Sequence, residues 1–276
     1  MRINAPKFEA SRYFEARPFY PEAVFESLIN LLKKRPALES FLDIGCGAGQ
    51  SLASFLKNFP ASLGSGAMLS GFAADPDASM IARTNAEYGS VFPNVKFLQA
   101  TAEKISLEDS IIDLILVGSA FHWFDRELAS KEFHRILKPR GLVFIFEYQF
   151  PKSLASTELN ASVKTRFNRE WKAPNQKPRG TLGELTQSFR DPTLWKTHSD
   201  ARPKWEEDLS LESFLGHLFT QSRFLHAEAK SGNPSVYREE SRQFFRPYFL
   251  GDRHPFDLKP RTCLFEKISP SRKKWI

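Results

Sequence analysis

Three glycines alternate with other residues directly behind an acid, in Asp43-Ile44-Gly45-Cys46-Gly47-Ala48-Gly49. Alternating glycines let a backbone take left-handed turns and approach a ligand closely. A second acid, Asp75, closes another short apolar stretch and is followed by Pro76. A carboxylate at the end of a strand can accept hydrogen bonds from both hydroxyls of a ribose. Ser119, His122 and Trp123 follow a longer apolar run, Ile111 to Val117. His122 is the candidate general base, because an imidazole titrates near neutral pH. Trp123 offers a flat face for packing on a ligand. Each has a plainer reading. Ser119 could cap a turn, His122 could be hydrogen-bonded at a sheet edge, and Trp123 could be buried.

The surrounding pattern says what positions these residues. Ser40 to Ile44 reads as a short buried strand that runs into the glycines, and a helix follows from Gln50 to about Asn58. Strand, glycine loop and helix open a nucleotide-binding βα unit. Before it, Pro21 to Lys34 reads as a helix with an apolar stripe. Gly71–Ala74 and Val95–Gln99 read as strands, with a helix from Asp77 to Glu87 between them. Ile111 to Val117 is apolar enough to be buried on both faces. Arg126 to Leu137 is a helix stopped by Lys138-Pro139-Arg140-Gly141, and Leu142 to Phe146 is a fifth strand. This alternation predicts an α/β fold, with helices on both faces of a mostly parallel sheet. Residues 151–258 predict a cap of helices and loops, including one helix from Leu211 to Ala229. Residues 259–276 predict a terminal strand and a basic tail, and residues 1–20 an arm.

The chain has 276 residues and a formal net charge of +7, with 41% hydrophobic and 26% charged residues. The excess positive charge is scattered. Its densest clusters, Lys33-Lys34-Arg35 and Arg272-Lys273-Lys274, read as solvated ends, so nucleic acid is not an expected partner. The 26 phenylalanines predict a Phe-rich core, and the aromatics after residue 151 a partly enclosed pocket. Cys46 and Cys263 have no zinc-like spacing, so no metal is expected and a reducing, cytoplasmic setting is the simplest reading. Neither a signal peptide nor a membrane span is expected.

The glycine loop discriminates between cofactors. A dinucleotide fold wants G-x-G-x-x-G, but Gln50 fills that third slot. The string from Asp43, D-x-G-x-G-x-G, instead resembles motif I of class I S-adenosylmethionine (SAM)-dependent methyltransferases. Asp75-Pro76-Asp77-Ala78-Ser79-Met80 resembles that family's second-strand motif. Ala120-Phe121-His122-Trp123-Phe124-Asp125 and Leu137-Lys138-Pro139-Arg140-Gly141 resemble the type 11 group within it. So does the opening Tyr13-Phe14-Glu15-Ala16-Arg17-Pro18-Phe19-Tyr20-Pro21.

The resemblance implies a doubly wound, Rossmann-like sheet of seven strands, with the cap inserted before the last strand. It implies SAM as cofactor, held by Asp43, Gly45, Cys46, Gly47, Gly49, Asp75, Pro76 and Ser119. It places Thr101, Ala102 and Glu103 beside the adenine, and Tyr13 and Arg17 near the methionine carboxylate, where a guanidinium makes paired hydrogen bonds. Capping of a helix start is the plainer reading of Glu103. His122 and Trp123 would meet the substrate. The implied function is methyl transfer to a small molecule. A trans-aconitate methyltransferase-like neighbourhood implies a carboxylate on that molecule. A SAM-binding protein without catalysis, acting as a partner or regulator, and a nicotinamide-dependent oxidoreductase are the alternatives.

Overall fold

The computed structural model describes residues 14–60, 63, 69–171, 182–249, 251 and 253–268. Its sheet is built from β1 (Ser40–Ile44), β2 (Ser70–Asp75), β3 (Val95–Gln99), β4 (Ile112–Gly118), β5 (Leu137–Glu147), β7 (Trp195–Ala201) and β10 (Arg261–Lys267). The strand order is β3-β2-β1-β4-β5-β10-β7. The first five run parallel, and β10 is antiparallel to both of its neighbours. A second sheet has the order β6-β9-β8, from Lys152–Ser153, His254–Asp257 and Glu206–Leu209.

Period-two alternation explains how helices cover both faces. On β4, Leu114 and Leu116 face one layer, with Phe41, Phe144 and Phe146 from neighbouring strands. That layer is covered by α1 (Glu22–Leu32) through Val24, Phe25 and Leu28, and by α2 (Gln50–Asn58) through Leu52 and Phe55. Ile115 and Val117 face the opposite layer, against Ala129, Phe133 and Ile136 of α4 (Arg126–Ile136). The phenylalanines are core. Phe25 lies 5.3 Å from Phe146 in an edge-on contact, and Phe144 stacks on Phe146 at 5.2 Å. Asp77 caps α3 (Ala78–Tyr88), accepting from the Ser79 amide, and Asp125 caps α4, accepting from Leu128.

Several expectations are corrected. The Lys138–Gly141 turn does not separate helix from strand, because β5 begins at Leu137. The turn is absorbed as a register shift between Ile112 and Leu114, with Arg140 at φ 65°. The expected helix Leu211–Ala229 is two, α6 (Leu211–Phe219) and α7 (Ser222–Lys230). Thr220 ends the first, because its hydroxyl takes up the carbonyls of Gly216 and His217. The stretch expected to hold only helices and loops also carries β6 to β9, and its β7 is the seventh strand of the main sheet. α5 (Thr157–Arg169) and α8 (Pro234–Phe245) complete the insertion, packed with α6 and α7 around Trp171, Phe214, Phe224 and Phe245. No described helix is long and apolar enough to cross a membrane.

Arg35 is not a solvated end. It donates to Glu266 on β10 at 2.6 Å, where Arg140 (3.0 Å) and His198 (2.6 Å) also converge. Burial pushes the Glu266 carboxyl up, but these three partners outweigh it and hold the group below its ordinary range. We expect Glu266→Ala to lower the unfolding free energy in urea by about 3 kcal/mol, because it leaves the partly buried Arg35 guanidinium without its carboxylate. Arg140→Ala, whose side chain is mostly exposed, should cost under about 1 kcal/mol.

Candidate active site

The strand order fixes where a ligand can sit. β2 and β3 lie on one side of β1, and β4 and β5 on the other, so the winding reverses between β1 and β4. Loops leaving the carboxyl ends of those two strands diverge, and the crevice between them is the usual ligand site of open α/β sheets. The glycine loop leaves β1, and Ser119 directly follows β4.

Gly45, Gly47 and Gly49 have φ values of 71°, 53° and 94°, where a Cβ is unfavourable. Their surroundings differ. The Gly45 and Cys46 amides donate to the Ala74 carbonyl at 2.7 and 3.1 Å, tying the loop to β2. A Cβ on Gly45 would meet Ala120 Cβ at 2.5 Å, and one on Gly49 would meet the Tyr88 ring at 2.6 Å. A Cβ on Gly47 would meet nothing within 4 Å among the described residues. Two of the glycines are therefore demanded by packing, while Gly47 leaves an open face.

Asp43 is fully buried, accepts from Ser51 Oγ at 2.6 Å through Oδ2, and has no partner for Oδ1 among the described residues. Burial pushes its carboxyl up to about 7, the nearby Asp75 charge adds to this, and the Ser51 hydroxyl and Leu52 amide oppose it. Asp75 accepts from the Gly47 amide at 3.0 Å and the Asp77 amide at 2.9 Å, one on each oxygen. Burial raises its carboxyl, and those two amides work against the shift. Each Asp75 oxygen keeps capacity for another donor. Exposed Pro76 takes a hydrogen bond from the Gln99 amide group on its carbonyl. Cys46 is buried, and burial first of all lifts its thiol well above the usual range, so it is a packing residue.

Beyond β3, Thr101 bridges to Lys104 and Ala102 is buried. Glu103 accepts from the Asp125 amide at 2.8 Å, which ties it to the start of α4. Beyond β4, Ser119 sits at φ 52° and its amide donates to the Phe146 carbonyl at 2.8 Å. Phe121–Trp123 form a single 3₁₀ turn, with the partly exposed His122 and Trp123 rings 4.8 Å apart. His134 packs edge-on against Trp195 on the covered side of α4, away from these loops.

Tyr13 lies outside the described residues. Arg17 donates to Tyr148 Oη and to the Thr220 carbonyl, both at 3.0 Å, and so ties the arm to the end of β5 and to the insertion. Three residues not singled out from sequence belong to this assembly. Tyr20 is buried, and its hydroxyl donates to Ser119 Oγ at 2.9 Å. Tyr148 packs on Tyr20 with ring centroids 5.7 Å apart. Thr84 on α3 donates to the Gly47 carbonyl at 2.7 Å. The Tyr20-Pro21 pair ending the arm motif was the available signal for the first. Thr84 carries no local signal, because only the packing of α3 beneath the loop brings it there. The Trp and Phe residues of the insertion do not form the expected enclosed pocket: Trp171, Phe189, Trp195, Trp205 and Phe214 are buried as core.

Two outcomes follow. Gly45→Ala and Gly49→Ala should lower stability in urea by about 2–4 kcal/mol, combining positive-φ strain with overpacking, whereas Gly47→Ala should cost only about 1 kcal/mol. Asp43 has a folded-state pKa above its unfolded value, so its contribution is fully present below the unfolded pKa and is lost as pH rises towards about 7. The stability of Asp43→Asn relative to wild type should therefore improve by about 2–3 kcal/mol between pH 5 and pH 8.

Comparison with known proteins agrees with this geometry. Residues 42–145 match the family model described as a methyltransferase domain. An uncharacterized methyltransferase of Schizosaccharomyces pombe is 31% identical over 135 residues, 49% of each chain. The demethylmenaquinone methyltransferase of Chlorobaculum tepidum is 33% identical over 119 residues, 43% of this chain and 44% of that one. The chain spans about half the length of the curated relatives it matches. A solved structure assigned as a type II methyltransferase, from Anaeromyxobacter dehalogenans, superposes with a TM-score of 0.63 at 22% identity, covering 91% of this chain and 97% of its own, and so shares the fold. Between β1 and β5, the chain is therefore similar to the methyltransferase domain family over residues 42–145.

Proposed function

We propose that the protein is a SAM-dependent methyltransferase acting on a small molecule. The observation that carries this is the crevice beside β1. Gly47 opens one face of the loop, a buried and unmatched Asp43 oxygen lies beneath the loop, and Asp75 stands at the end of β2. The residues fit the cofactor chemically. A carboxylate oxygen without a donor suits a ligand that brings ammonium and sulfonium charge. Asp75 retains acceptor capacity for two ribose hydroxyls. Thr101, Ala102 and Glu103 follow β3 on the neighbouring strand, where the adenine would lie, and Ser119 closes the crevice from β4. When bound, SAM supplies the electrophilic methyl group.

What remains for the protein is placement and exclusion of water. The arm contributes to both. Gln50 Nε2 holds the Phe14 carbonyl at 2.9 Å, and Tyr20 bonds Ser119, so residues 14–20 cross from the start of α2 to the end of β4. Arg17 stands farther along the same path, against Tyr148 and Thr220. His122 and Trp123 lie just past Ser119, in position to meet an acceptor, and His122 is the residue that would take a proton from it. An acceptor that is already ionised needs no base. A carboxylate on the acceptor rests on sequence resemblance alone.

The test is calorimetric titration of SAM and of S-adenosylhomocysteine. We expect saturable binding to wild type, weakened at least about tenfold by Asp75→Ala through the lost ribose hydrogen bonds. Folded wild-type protein that binds neither ligand would overturn the reading.

A further inference from the structure

A cavity of about 850 Å³ opens between residues 15–18 of the arm and the insertion, floored by α6 and β8. Its size is that of a small-molecule site. Its walls mix apolar and polar groups: Pro18, Leu209 and Phe219 share it with Arg17, Glu207 and His217. It connects by contact to the strand ends. Arg17 on its wall bonds Tyr148, Tyr148 packs on Tyr20, and Tyr20 bonds Ser119.

His217 is the unexplained group. His217 is among the residues lining the cavity yet is 2% exposed, and its Nδ1 is buried with no partner among the described residues. A buried polar atom left unmatched costs free energy that a ligand can recover. Burial above all, with the Arg17 guanidinium beside it, pushes the imidazole down to about 3, so it is neutral at physiological pH.

The charges around it are mixed, so no single sign of ligand is favoured. Arg242 is matched by Glu212 and Glu239, and Arg238 by Glu228. The same walls carry Arg17 and Arg253 together with Glu15, Glu207 and Asp208. A ligand of either sign would meet like charge as well as opposite charge on these walls. A hydroxyl suits a neutral imidazole in either tautomer, because it both donates and accepts. A carboxylate requires the Nδ1–H form, and an ammonium the other.

We propose that this cavity binds an uncharged, hydroxyl-bearing organic molecule whose hydroxyl is held by His217 Nδ1. On the methyltransferase reading, that molecule is the methyl acceptor, in place of the carboxylate-bearing one that the sequence resemblance implies. The binding itself does not depend on that reading.

Three probes of one skeleton test it: benzyl alcohol, benzoate and benzylamine, each titrated on the full chain by ligand-detected NMR. The ¹⁵N resonances of the His217 ring are followed on labelled protein. Benzyl alcohol should bind at least about tenfold more tightly than either charged analogue and shift the His217 ring signals. His217→Phe should weaken it by about tenfold. Ser235→Trp changes an exposed wall residue and should block the cavity without disturbing the buried imidazole, so it serves if the His217 variant fails to fold. Tighter binding of benzoate or benzylamine, no binding of any probe, or benzyl alcohol binding insensitive to both variants would overturn the proposal. SAM titrated on the same samples reads the cofactor separately. Its failure with the cavity result intact sinks only the methyltransferase reading, and Ser235→Trp should leave SAM affinity unchanged.

Discussion

The chain leaves β1 at the one place in the sheet where the winding changes direction, and it leaves through a backbone that only glycine accommodates without strain. With β2 on one side and β4 on the other, the loop has to turn beneath Ala120 and over Tyr88 within a few residues. Gly45 and Gly49 permit those two close approaches. The amides of Gly45 and Cys46 then reach back to Ala74, and Asp75 catches the Gly47 amide. The loop is thus braced from β2, from β4 and, through Thr84, from α3. Its rigidity lets Gly47 present a bare backbone face, since a pocket of this kind binds well only when its shape is formed beforehand.

Burial shapes the acids and bases of this region more than ion pairing does. Asp43 and Asp75 are both raised by desolvation, and His217 is lowered by it. A buried acid with one oxygen unmatched and a buried imidazole with one nitrogen unmatched are each less stable than a fully paired group would be. Asp43 lies in the strand that leads into the glycine loop, and His217 is among the residues lining the arm-side cavity. This is the pattern expected where stability has been conceded for binding. Glu266 is instead paired, with Arg35, Arg140 and His198, and the buried Lys267 ammonium is met by the carbonyls of His134 and Leu137.

The insertion completes the molecule in two ways. Its β7 covers what would otherwise be the exposed edge of β10, while its helices close around an aromatic core of their own. The arm then joins the two parts. Residues 14–20 are held at α2 by Gln50 and Ser54, at β4 by Ser119, and at the insertion by the Thr220 carbonyl. Arg17, expected to face a cofactor carboxylate, stands at that last junction.

Local sequence determined the parallel core, because its signals are local. Short apolar runs marked β1 to β5, the Pro76 break marked the start of α3, and the spaced glycines marked the loop after β1. Asp43, Asp75 and Ser119 were legible for the same reason, since each ends or follows a strand. What lies after residue 150 was not. The polar strand Trp195–Ala201 has almost no alternation, and only its pairing with β10 makes it a strand. Thr220 interrupts a continuous apolar stripe, its one hydroxyl proton shared between the Gly216 and His217 carbonyls, which periodicity does not register. Tyr20, Thr84, Tyr148 and His217 gain their roles from contacts between segments far apart in the chain, and Tyr20 meets Ser119 across 99 positions. Tertiary packing alone decided which buried atoms were left unmatched, because desolvation depends on everything that surrounds a group and not on its neighbours in sequence.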